Sequence, residues 1–72
     1  MIIDNIVEIE SPRFADAEYQ PGNELIVFFR HKPEYVLIHD VTEREFLKLQ
    51  NDPTDEAVVE LCKSHGYRVF RR

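Results

Sequence analysis

Apolar positions recur at a period of two through the middle of the chain and change to a helical period after Thr42. Glu24 to Arg30 is rich in β-branched and aromatic residues, which suit a pleated strand better than so short a helix. Leu25, Val27 and Phe29 point one way and Ile26 and Phe28 the other, so this strand is predicted to sit centrally or be covered on both faces. The preceding Gln20-Pro21-Gly22-Asn23 is a hairpin turn, because proline presets the entry dihedral and glycine or asparagine takes the left-handed one. Before it, Arg13 to Tyr19 reads as a strand with Phe14, Asp16 and Glu18 on one side and Ala15, Ala17 and Tyr19 on the other. The break His31-Lys32-Pro33 leads into Glu34 to His39, with Tyr35 and Leu37 opposed to Val36 and Ile38 in a second hairpin.

Asp40 and Thr42 mark the change to helix, since Thr42 and Glu45 have the spacing of a capping box. A helix from Glu43 to Gln50 follows, with Phe46 and Leu49 on its buried stripe, helped by Val41 or Leu47. Asn51-Asp52-Pro53 stops it and starts another, with Asp52 as the candidate cap. In this second helix Ala57, Val58, Leu61, Cys62 and His65 share one face, and Gly66 ends it in the left-handed conformation. Tyr67 to Phe70 is a short last strand with Val69 inward. At the other end, Ile2, Ile3, Ile6, Val7 and Ile9 fit a helical stripe and a strand equally well. The isoleucine content and the lack of a preceding cap favour the strand, which Glu10-Ser11-Pro12 breaks. The expected fold is α+β: a small, mainly antiparallel sheet in the order β-β-β-β-α-α-β, with two short helices packed on one face of a single domain spanning residues 1–72.

At 72 residues the core must be small, which argues against a deep catalytic cleft. The longest apolar runs, Leu25 to Phe29 and Tyr35 to Ile38, fall far short of the roughly 20 residues a membrane span needs. Residues 1–9 lack the features of a signal peptide, and one cysteine, Cys62, allows no internal disulfide, so a reducing cytoplasm is expected. The 14 acidic and 9 basic side chains give a net charge of −5, which disfavours general nucleic-acid binding. The sign reverses only in the last twelve residues, which hold Lys63, Arg68, Arg71 and Arg72 and no acid.

The three histidines and the cysteine form no spaced ligand motif, so no metal or other cofactor is expected. Cys62 and His65 are spaced as a thiolate and base on one helix face. Against that, Cys62 lies on the apolar stripe beside Leu61, and a helix C-terminus opposes a thiolate while suiting a histidine cation. Carboxylate pairs recur as Glu8 with Glu10, Asp16 with Glu18, Glu43 with Glu45 and Asp55 with Glu56. Nothing flanking them demands the desolvation that general acid-base work requires, so they read as an acidic surface able to meet a basic partner.

From about Ser11 to Gln50 the chain resembles the KTSC domain, a small module found alone in bacterial and phage proteins and appended to some lysyl-tRNA synthetases. The resemblance rests on a strand after a serine, a turn, Leu25-x-Val27-x-Phe29, a short break, Tyr35 opening the next strand, and Val41 before a helix bearing Phe46. Thr42 stands where that family often has proline, its Ser-x-Gly stretch leading to an asparagine is not found after the helix, and Asn51 to His65 reads as an added helix. The resemblance implies a small β-rich interaction module, phage-encoded in some settings, with tRNA or protein contacts, and brings no catalytic residues with it.

The expectation is a non-catalytic protein-interaction module, a phage or prophage accessory protein binding a host or virion protein through an acidic surface or a strand edge. Asp16, Glu18, Glu43 and Glu45 are its candidate partner-binding residues. The alternative is RNA or tRNA contact through Arg68, Arg71 and Arg72. An enzyme using Cys62 and His65 ranks third, and pairing into a homodimer to enlarge a small core stays open.

Overall fold

Proline and glycine direct the first hairpin as their chemistry requires. In the computed structural model, which describes residues 5–72, Gly22 takes φ 87° and Asn23 φ 61° at the turn. The elements are β1 (Ile6–Glu8), β2 (Phe14–Gln20), β3 (Glu24–Phe29), β4 (Glu34–Ile38), α1 (Glu43–Asn51), α2 (Asp55–His65) and β5 (Tyr67–Arg71). All five strands pair antiparallel in one sheet, in the order β1-β2-β3-β4-β5. This is a small α+β domain with the expected element order. Of the strand expected over residues 1–9, Ile6–Glu8 is a strand and residues 1–4 lie outside the described residues.

Strict alternation fails in β2. Phe14 pairs with Phe29 and Ala17 with Val27, so β2 spends one residue more than β3 over that stretch and bulges. Phe14, Ala17 and Tyr19 therefore face the core side together, while Asp16 and Glu18 face away from it. The grouping of Phe14 with the two acids is overturned by that extra residue.

Leu25 and Val27 of β3, with Val36 and Ile38 of β4, pack against Phe46 and Leu49 of α1 and Val58 of α2 in one buried cluster. Both helices thus cover the same face of the sheet. Thr42 and Glu45 form the reciprocal capping box: the Glu45 amide donates to Thr42 Oγ1 at 3.2 Å and the Thr42 amide to Glu45 Oε1 at 2.9 Å. Phe46 is fully buried beneath Tyr19, their rings stacked 4.9 Å apart, and the Tyr19 hydroxyl donates to the Val41 carbonyl at 2.6 Å.

The junction between the helices departs from expectation. Asp52 is the C-cap of α1, its amide donating to the Leu49 and Lys48 carbonyls, and Thr54 caps α2 by accepting from the Ala57 amide at 3.1 Å. Pro53 falls before the cap rather than in the first turn, which frees its carbonyl to accept from the Glu10 amide at 2.7 Å. At the far end, Gly66 caps α2 with the positive φ expected of it, 76°, but its ψ of 161° is not that of a left-handed helical turn and leads the chain straight into β5. That strand is a sheet edge exposed throughout. Val69 faces the helix side of the sheet but is 49% exposed, because α2 packs toward β4 and leaves β5 overhanging. Val69 thus points inward as read from the sequence, but it is not buried. Phe70 is 38% exposed on the opposite face.

Candidate functional site

The face of the sheet turned away from the helices is ordered by charge. Cross-strand pairing sets Glu8 beside Asp16, and Glu18 follows two residues along β2, so three carboxylates share one side. Ile26 and Phe28 of β3 and Tyr35 and Leu37 of β4 form the middle, with Ile26 opposite Leu37 and Phe28 opposite Tyr35. Phe70 of β5 stacks on Tyr35 with centroids 5.5 Å apart, and Tyr35 lies 6.0 Å from Phe28. Arg68 sits opposite Leu37, and the Arg72 guanidinium lies 4.9 Å above the Phe28 ring. The result is an acidic side, an aromatic and aliphatic middle and a basic side. Among the described residues, neither helix packs against this face.

Asp16 and Glu18 belong to it; Glu43 and Glu45 do not. They lie in the first turn of α1, in the layer on the far side of the sheet. Glu45 is moreover committed, since one oxygen closes the capping box and the other is 2.7 Å from His65 Nε2. The Thr42 amide, then His65 and the Thr42 hydroxyl, hold the Glu45 carboxyl below its ordinary range against the opposing effect of burial. The four proposed acids are therefore not one surface. The three arginines divide likewise: Arg68 and Arg72 reach the open face, whereas Arg71 lies opposite Glu34 on the helix side.

Cys62 is half-buried, and that burial pushes its thiol up, away from the thiolate a nucleophile needs. It lines a cleft of about 380 Å³ between α2 and β5, whose walls include Phe14, Phe29, Val36 and Val69. A second cleft of about 450 Å³ separates α1 from α2 and is edged by Glu45, Asp52, Glu56 and Glu60 with Lys48. Both open broadly to solvent. His39 pairs with Glu24, its Nδ1 3.2 Å from Oε2. Among the described residues, no three His, Cys, Asp or Glu side chains gather as a metal ion would require, and no helix is long and apolar enough to cross a membrane.

A polar corner escaped the sequence reading altogether. Ser11 Oγ donates to Asp55 Oδ1 at 2.6 Å and accepts from the Arg13 amide at 3.1 Å. Arg13 adds a two-pronged ion pair to Asp55 at 2.8 and 2.7 Å. The Arg30 guanidinium donates to the carbonyls of Ile9, Ser11 and Phe14 at 3.2, 3.1 and 3.0 Å. These contacts join segments up to 44 positions apart, and no local pattern announces such a pairing. Arg13, then Ser11, draws the Asp55 carboxyl down from 3.8 to about 2. Because the folded value lies below the unfolded one, the pair stabilises the fold fully above pH ~4, and that contribution is lost as pH falls toward ~2. With the Asp55 side chain 31% exposed, solvent screening reduces the effect to about 1 kcal/mol. Asp55→Ala should lower stability by that amount at pH 7 and flatten the acid limb of a urea-unfolding series. An unchanged acid limb would refute this assignment.

Comparison with family models, with curated proteins and with solved structures finds no match to this chain.

Proposed function

We propose that this chain is a non-catalytic protein-binding module whose contact surface is the open face of its sheet. The observation that carries the reading is the strip of Ile26, Phe28, Tyr35, Leu37 and Phe70, flanked by the carboxylates of Glu8, Asp16 and Glu18 and left outside the helical layer. Aromatic side chains supply contact area at small entropic cost, and rim charges select and orient a partner of opposite sign. Charge reversal at Asp16 and Glu18 together should abolish partner capture, and Phe28→Ser should do the same by removing the central ring. The matched control is Glu56→Lys with Glu60→Lys on α2. Affinity capture from cells that produce the protein, quantified by mass spectrometry, reads the difference. Capture that survives the face variants, or is lost equally with the α2 control, would refute the reading.

A second reading has one observation in its favour. Phe28, Tyr35 and Phe70 share the open face with Arg68 and Arg72, the combination of rings and cations that stacks single-stranded bases. The carboxylates of Glu8, Asp16 and Glu18 on the same face oppose a phosphate backbone, which ranks it below protein binding. Gel-shift titration with oligouridine at about 50 mM salt tests it, and binding that falls steeply with added salt is its signature.

A further inference from the structure

The acidic side of the open face runs along β1 and β2, the basic side along β5, and the apolar strip lies between them on β3 and β4. A surface with opposite charges on its two sides is complementary to itself when turned over about an axis parallel to its strands. We infer that the occupant of this face is a second copy of the chain, stacked sheet on sheet about a two-fold axis running between β3 and β4. The inference rests on the protein-binding reading above and names its partner.

The cross-strand register makes the pairing specific. Arg68, Leu37, Ile26 and Glu18 occupy one row across β5, β4, β3 and β2. Rotation about the stated axis lays β5 of one copy over β2 of the other and β4 over β3. Arg68 then meets Glu18 of the second copy, Leu37 meets Ile26, and Tyr35 meets Phe28. In the next row Phe70 and the Arg72 guanidinium come over the side of Asp16. Sheets stacked this way sit about 10 Å apart with strands within about 30° of parallel, close enough for these side chains to interdigitate.

Two other self-pairings are disfavoured by the same charges. Turning the face about an axis perpendicular to the strands sets carboxylates on carboxylates and arginines on arginines. Joining two copies along the β5 edges brings together Arg68, Arg71 and Arg72 of both, which is how natural sheets discourage edge pairing. The four strands that overlap, β2 to β5, about 4.8 Å apart and each about five to six residues long, give a footprint of roughly 350 Å² per copy. A stable specific interface covers about 800 Å² per partner, so the dimer should be weak, with Kd in the micromolar range or above.

Sedimentation equilibrium from about 1 μM to about 1 mM at about 50 mM salt measures the association. The wild-type protein should dimerise reversibly, and Glu18→Arg or Arg68→Glu alone should weaken dimerisation at least tenfold. Mixing the two single variants should restore it, because each mixed pair regains both oppositely charged contacts, as should the double swap in one chain. Circular dichroism on each variant confirms that the fold is kept. Wild-type protein that is monomeric at 1 mM, single variants that dimerise as well as wild type, or a mixture that stays monomeric would each overturn the inference. Oligouridine bound by monomers through Phe28 and Arg68 would overturn it in favour of a nucleic-acid occupant. A monomer whose capture of other proteins still depends on Asp16 and Glu18 overturns the dimer alone, whereas loss of face-dependent capture overturns the protein-binding reading itself.

Discussion

Phe46→Ala is expected to strip the domain of a large part of its stability at 25 °C. The ring is fully buried, stacks on Tyr19, and belongs to the cluster that joins both helices to β3 and β4. Truncating a buried phenylalanine costs about 3 to 5 kcal/mol, from lost transfer energy and from the cavity left behind. A domain of 72 residues has roughly 4 to 11 kcal/mol of stability in total, so the loss takes much of it. Leu47→Ala next to it should cost less than about 0.5 kcal/mol, because Leu47 is 37% exposed on the outer side of α1. Thermal unfolding followed by circular dichroism compares the two. A drop of only a few degrees for Phe46→Ala would mean that the core refills the space, contrary to the packing described.

The second large effect is a backbone one. Gly66 combines φ 76° with ψ 161°, a region that side chains with a Cβ almost never enter, and a Cβ built there meets nothing within 4 Å. The penalty for Gly66→Val is therefore torsional rather than steric, of the order of 1 to 3 kcal/mol. The cheapest relief is for β5 to leave the sheet, since it is an edge held by β4 and reached directly from α2. Hydrogen exchange should show the β5 amides losing about tenfold or more in protection, while those of β2 and β3 change far less. Uniform loss of protection would mean that the strain unfolds the domain as a whole.

Phe46 also marks where local pattern suffices. The helical stripe of Phe46 and Leu49, the capping box and the Pro21-Gly22 turn depend on neighbours within four positions, and all appear as their spacing predicts. The β2 bulge does not, because the extra residue is set by pairing with both β1 and β3 rather than by β2 itself. Asp52 and Thr54 are both fit to cap a helix, and a contact with the distant Glu10 decides between them. Glu45 carried two incompatible readings, as a cap and as an acid awaiting a partner, and the cap took it. Asp16 and Glu18 were visible as an acidic pair, but their place beside an aromatic strip on the same face emerges only once five strands are in register. The corner of Ser11, Arg13, Arg30 and Asp55 had no local signal at all.

Neighbours in the sheet are also neighbours along the chain, with one interruption: both helices intervene between β4 and β5. Hairpin-linked strands meet at little entropic expense, whereas closing a loop as long as that between β4 and β5 is slower and awaits the docking of α1 and α2. Contact order thus favours β5 as the last of the five strands to pair, and it carries Tyr67, Val69 and Phe70. Made in chain order, β5 follows β1 to β4 and both helices, so the free edge of β4 stays unpaired until the helical layer has been made.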